Sequence, residues 1–103
     1  MKILMLVLLM LTAPAFADFW RCQSGASTVD VTDFGNRFSV EEFRSPVYTE
    51  QKKYENAVIS AAFDASFAYL KIRNSHGVHF EVHDLGVPPG EGIVLQGLSC
   101  VKR

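Results

Sequence analysis

The chain has 103 residues, 49% of them hydrophobic and 20% charged, so it is long enough for one domain and too short for two. Ten basic and eleven acidic side chains give a formal net charge of -1. Because binding to nucleic acids depends largely on clustered Lys and Arg, this balance argues against a nucleic-acid partner.

The N-terminal segment has the order of a secretory signal peptide. Lys2 precedes an apolar run over 3–11, and small residues follow up to Ala17. The run is shorter than the roughly 20 apolar residues that a membrane-spanning helix needs. We therefore expect residues 1–17 to be a cleaved signal peptide. The remaining chain, 18–103, is then exported to the periplasm or secreted, with no membrane attachment.

Two cysteines, Cys22 and Cys100, lie near the two ends of the exported part. Because exported proteins meet an oxidising compartment, we expect one disulfide between them. The Cα atoms of a disulfide lie within about 7 Å of each other, which makes the first and last segments neighbours, most simply as adjacent strands. Phe19 and Trp20 are expected to pack around this bond.

The first hairpin is predicted over 27–41. Polar residues alternate with Val29 and Val31, and further along the chain Phe38 and Val40 alternate with polar residues in the same way. Between the two runs, residues 33–36 have the composition of a turn.

The segment 49–69 carries two conflicting patterns. Tyr54, Val58 and Ala61 fall at helical spacing, and the alanines that follow have high helix propensity. Apolar residues also occur on both alternating sets over 58–63, as in a two-sided strand. We favour two strands, with one helix within 49–69 as the alternative.

The strand signal is clearest after this segment. Residues 67–73 alternate up to a turn over 74–77, and residues 78–83 alternate again. A closing strand over 93–101 carries Cys100. The sequence therefore predicts one mainly β domain over 18–103, a small antiparallel barrel or sandwich closed by the terminal disulfide.

All three histidines of the chain lie close together, and Glu81 lies between His79 and His83. Because imidazole and carboxylate are typical ligands of zinc and copper, a metal site on these residues with a further ligand from elsewhere is one alternative. Residues four apart in a strand are separated by about 13 Å, so His79 and His83 do not reach one ion unaided. The favoured interpretation is a polar outer strand face without a cofactor.

Nothing in the sequence indicates catalysis, because it contains no Gly-x-Ser-x-Gly motif and no dinucleotide-binding loop. Tyr48 and Tyr54 flank a charged stretch that contains Lys52 and Lys53. Tyrosines and charges on an exposed loop are typical of protein-recognition surfaces, so these four residues form the predicted partner-binding surface. We expect a non-enzymatic protein with a protein partner.

Short motifs at the two ends of the exported part carry a resemblance to a known family. They are Trp20-Arg21-Cys22 and Thr28-Val29-Asp30-Val31 near the start, and Ile93-Val94-Leu95 with Leu98-Ser99-Cys100 near the end. Together they resemble the bacterial c-type lysozyme inhibitors, which are small exported β-barrels with a disulfide between the terminal strands. The resemblance covers about a third of the exported part and implies the same fold.

The sequence departs from that family at the inhibitory loop, where the family carries a Ser-Gly-x-x-Tyr motif. Ser24-Gly25 is not followed by a tyrosine, and Tyr48 ends a stretch at a comparable place that lacks the glycine. The leading hypothesis is an exported non-catalytic binding protein, either an inhibitor of a host or competitor enzyme such as lysozyme or another interaction protein. The alternative is a periplasmic metal-binding protein that uses the histidine strand.

Overall fold

The computed structural model describes residues 17–88 and 91–103 of the chain, which form nine strands and no helix. The predicted signal peptide lies outside these residues except for Ala17. Within the described ranges, no helix is long and apolar enough to cross a membrane. In chain order the strands are β1 (Asp18–Ser24), β2 (Ser27–Asp33), β3 (Phe38–Val40), β4 (Phe43–Arg44), β5 (Glu50–Lys53), β6 (Ala57–Phe63), β7 (Phe67–Asn74), β8 (Gly77–Asp84) and β9 (Ile93–Lys102).

All nine strands belong to one antiparallel sheet in the order β4-β3-β2-β1-β9-β8-β7-β6-β5. The sheet curls into a half-barrel, which confirms the predicted antiparallel β fold. The last strand in chain order, β9, lies at the centre of the sheet and joins two runs of consecutive hairpins. The alternative of a helix within 49–69 is wrong, because β5, β6 and the start of β7 occupy this segment.

The predicted disulfide between Cys22 and Cys100 joins β1 to β9, which are neighbouring antiparallel strands. A bulge makes this possible, because the pairing shifts so that both Ser99 and Cys100 lie opposite Cys22. Ser99 takes a positive φ of 49° within this bulge. The bond spans 78 residues of sequence, and the chain-entropy model assigns such a loop roughly 4–5 kcal/mol of stabilisation. A structural disulfide fits an oxidising compartment.

The core fills the concave inner face of the sheet. Val78, Phe80 and Val82 of β8 are all buried there, and the ring of Phe80 lies 4.9 Å from that of Phe38 on β3. Trp20 packs partly buried at the margin of this core, whereas Phe19 is 50% exposed. The expectation that both aromatic residues pack around the disulfide is therefore wrong for Phe19, because neighbouring residues of a strand point to opposite faces.

A buried ion pair crosses the interior of the half-barrel. Lys71 Nζ on β7 lies 2.5 Å from Asp33 Oδ2 at the end of β2, and the two side chains are 13% and 3% exposed. The other carboxylate oxygen of Asp33 accepts a hydrogen bond from the Gly35 backbone N–H. Both buried charges therefore have partners, and the pair links the two sides of the curled sheet.

The turn between β6 and β7 is organised by Asp64. Its carboxylate accepts hydrogen bonds from the backbone N–H groups of Ser66 and Phe67 and from the hydroxyl of Tyr69 at 2.6 Å. These bonds, first that from Tyr69, lower the pKa of Asp64 below its ordinary value. Burial, followed by the bond to Asp64, raises the pKa of Tyr69 to about 12. The exposed turn is thereby tied to a core aromatic residue.

Candidate functional site

The outer, convex face of β6 and β7 carries apolar side chains. Cross-strand pairing places Ile59 opposite Ile72, Ala61 opposite Leu70 and Phe63 opposite Ala68. Directly paired residues point to the same face of a sheet, and these pairs alternate with the inward-pointing residues of both strands. A solvent-facing side of an antiparallel sheet is normally polar, so this apolar face is unusual.

One end of this face deepens into a cleft of about 400 Å³, which we call the outer cleft. Leu85, Val87 and Pro88, which follow β8, form one wall. The apolar lining includes Phe63, Leu85 and Val87, which are 43%, 49% and 41% exposed. Ala68, Leu70, His83 and Pro88 complete most of the remaining lining.

Gly92 allows the wall of the outer cleft to approach the sheet. A Cβ atom at this position would lie 2.4 Å from Val87 Cγ2 and 2.7 Å from the backbone oxygen of Asp84. These separations are too short for any side chain, so only glycine fits. The Asp84 backbone N–H donates a hydrogen bond to the Gly92 oxygen at 2.7 Å, which closes the base of the segment. The cleft is therefore a defined feature of the fold.

The predicted histidine row borders the same apolar face. His79, Glu81 and His83 lie on the outer side of β8, opposite Ile72, Leu70 and Ala68 of β7. His83 Nε2 lies 2.7 Å from Glu81 Oε1, and His79 Nε2 lies 3.4 Å from Glu81 Oε2. Gln96 of β9 donates a longer hydrogen bond to Glu81 at 3.4 Å. The Nε2 atoms of both imidazoles therefore contact the same carboxylate.

This arrangement gives no support to the predicted metal site. The two imidazoles approach opposite oxygens of Glu81, as the strand spacing of His79 and His83 requires. Among residues 17–88 and 91–103, no three His, Cys, Asp or Glu side chains are placed to hold one metal ion. The row is a hydrogen-bonded polar border to the apolar face.

The four residues of the predicted partner-binding surface are not brought together. Lys52 and Lys53 are exposed on the edge strand β5, and Tyr54 follows them with 56% exposure. Tyr48 instead packs against the core, with its ring 6.5 Å from that of Phe38. Its hydroxyl is buried without a hydrogen-bond partner among the described residues. Burial, with the nearby charge of Asp33, raises the pKa of Tyr48 well above its ordinary value.

Sequence reasoning missed Phe63, Leu85 and Val87, the most exposed apolar side chains of the outer cleft. A signal was present in β6, where both alternating sets of residues are apolar. Since one face of a sheet suffices for the core, a strand that is apolar on both faces in an antiparallel sheet marks a second covered or binding surface.

No protein-family model, curated protein or solved structure matches this chain significantly.

Proposed function

We propose that this protein is an exported, non-catalytic binding protein that holds a protein partner on the outer cleft and the adjoining apolar face of β6 and β7. The observation that carries this proposal is the exposure of large apolar side chains on the convex side of the sheet, with Phe63 at 43% and Leu85 at 49%. Contiguous exposed apolar surface rimmed by polar residues is typical of protein interaction sites.

The surroundings of the cleft support recognition of a protein. Phe63 offers an aromatic anchor at its mouth, and aromatic residues are enriched among those that dominate binding energy. The histidine row forms a polar border on one side of the apolar face. On the other side, Glu50 and Lys52 of β5 pair with Ala61 and Ile59 of β6 and supply a charged border. An apolar centre with a polar rim is the usual anatomy of a protein interface.

Inhibition of a lysozyme is the specific activity that we propose to test first, because of the resemblance of the terminal strands to the c-type lysozyme inhibitors. The buried hydroxyl of Tyr48 makes that residue a poor candidate for insertion into an enzyme cleft. The inhibitor hypothesis therefore rests on the outer cleft, with Lys52, Lys53 and Tyr54 as exposed neighbours on and beside β5.

The test is a lysozyme activity assay with the oxidised, exported protein, accompanied by direct binding measurements to a c-type lysozyme. Phe63→Ser and Leu85→Ser remove the apolar anchors of the cleft. Val101→Ser is the matched control, because Val101 is 62% exposed on β9 and does not line the cleft. Inhibition by the unchanged protein at about equimolar ratio, weakened about tenfold or more by either cleft variant and retained by Val101→Ser, supports the proposal.

Two results would contradict it. If lysozyme activity is unaffected, the inhibitor hypothesis fails. If, in addition, no periplasmic or extracellular protein binds the unchanged protein more strongly than Phe63→Ser, the outer cleft is not a binding surface.

A further inference from the structure

A second cavity of about 390 Å³ opens at one end of the half-barrel, and we call it the mouth. It lies on the inner side of the sheet, whereas the outer cleft lies on the convex side. Ligand sites of small β-barrels often occupy this position. Its lining includes Asp18, Trp20, Asp33, Lys71, Arg73 and Val78.

Two carboxylates and two cations line the mouth, and they differ in their partners. Lys71 is paired with the buried Asp33, as described above. Asp18 Oδ1 lies 3.4 Å from Lys102 Nζ on β9. Arg73 takes part in no ion pair among the described residues. The mouth therefore presents one guanidinium without an ion-pair partner, and its donors suit a carboxylate.

Arg73 is directed to the mouth by its strand register. It pairs with Val78 of β8, whose side chain is 7% exposed in the core, so Arg73 points to the inner side of β7. It is the next inward-pointing residue after Lys71 on the same strand. Lys71 reaches into the interior towards Asp33, and Arg73 stands exposed at the entrance.

Trp20 provides an independent observation on the opposite wall. Its indole Nε1–H is buried and has no acceptor among the described residues. A buried donor without an acceptor is costly. The ring and Val78 also give the mouth apolar surface, and Lys102 Nζ lies 5.6 Å from the ring centroid.

We propose that the mouth binds a small monocarboxylate with a flat apolar body. Arg73 binds the carboxylate, and Trp20 and Val78 contact the apolar body. Asp18 and Asp33 also line the mouth, and their negative charges oppose binding of a multiply charged ligand such as phosphate. This site is independent of the proposed function of the outer cleft, and either can fail without the other.

Trp20 is the single tryptophan of the chain, so its indole N–H gives one NMR signal that reports directly on the mouth. We would titrate the oxidised protein with benzoate, with benzamide as the neutral ligand of the same shape, and with inorganic phosphate. Benzoate is expected to shift the Trp20 signal in a saturable way, at least about tenfold more tightly than benzamide or phosphate. Added salt should weaken the binding of benzoate and leave the binding of benzamide unchanged.

Arg73→Gln is the decisive variant, and Arg44→Gln is its control, since Arg44 is an exposed arginine on the edge strand β4 and does not line the mouth. Arg73→Gln should reduce the affinity for benzoate to that for benzamide, while Arg44→Gln should leave it unchanged. Because Arg73 is exposed, both variants are expected to unfold at the same urea concentration as the unchanged protein. Equal affinity for all three ligands, no saturable shift, or full binding by a folded Arg73→Gln variant would overturn the proposal.

Discussion

The two strands of the β7–β8 pair differ in how they distribute charged and apolar side chains between the two faces. On β8 the inner residues are apolar and the outer ones polar, as expected for a half-buried strand. On β7 the inner set includes Lys71 and Arg73, whereas the outer set contains Leu70 and Ile72. This difference shows that alternation of apolar and polar residues predicts a strand but does not predict which of its faces is buried. A charged residue on the inner face then needs an ion-pair partner. An apolar residue on the outer face needs another surface that shields it from water.

The largest expected effect comes from removing the partner of the inward-pointing lysine. Asp33→Ala leaves Lys71 buried without its carboxylate, which should cost about 3–5 kcal/mol of unfolding free energy in urea denaturation. Glu81→Gln on the outer face, where partly exposed histidines surround the carboxylate, should cost less than about 1 kcal/mol. The double variant with Lys71→Met and Asp33→Ala should regain much of the unfolding free energy that Asp33→Ala alone loses. Equal losses for Asp33→Ala and Glu81→Gln would contradict the distinction between the two faces.

A smaller loss of unfolding free energy is expected when the same change, valine to alanine, is made once on the inner face and once on the outer face of the sheet. Val82→Ala removes two methyl groups from a fully buried position and should cost about 2–3 kcal/mol. Val94→Ala makes the same chemical change on β9, where the side chain is 46% exposed, and should cost less than about 1 kcal/mol. Urea denaturation of both variants gives the comparison directly. A loss at Val94 as large as that at Val82 would mean that this exposed surface is already covered, for example by a second copy of the chain.

The smallest effect concerns the turn that links the two faces. The pKa of Asp64 is lowered in the folded protein, chiefly by the Tyr69 hydroxyl, so its contribution is present above the ordinary value of 3.8. It is lost as pH falls through the lowered folded pKa, because the protonated carboxyl cannot accept the same bonds. The fall in stability between about pH 6 and about pH 2.5 should therefore be shallower in Asp64→Asn than in the unchanged protein. Parallel profiles would show that the ionised carboxylate of Asp64 does not stabilise the fold.

Local sequence patterns were sufficient for the main hairpins and the disulfide. The hairpin over 27–41, the turn over 74–77 and the pairing of Cys22 with Cys100 are all present. The conflict over 49–69 has a physical origin in β6, whose inner and outer sets are both apolar and so also match helical spacing. The Asp64 turn resolves it, because its carboxylate binds the backbone N–H groups that begin β7.

The sites were harder to predict because they depend on contacts between residues far apart in sequence. Nothing near Tyr48 in the sequence shows that its ring packs against Phe38. Lys71 is paired with a residue 38 positions away, and that pairing requires the sheet to curl. The outer cleft likewise needs Leu85 and Val87, after β8, to lie beside Phe63. Sequence alternation contains none of this long-range information.

The central position of β9 sets the order in which the molecule can be assembled. Strands β1 to β4 form one run of hairpins and β5 to β8 another, and among the described strands none of one run pairs with a strand of the other. The two runs become one sheet when β9, the latest strand in the chain, inserts between β1 and β8. A chain that emerges from its N-terminal end therefore has two separate sheets until β9 is available. We expect folding to end with this insertion, and the disulfide then locks the inserted strand in place.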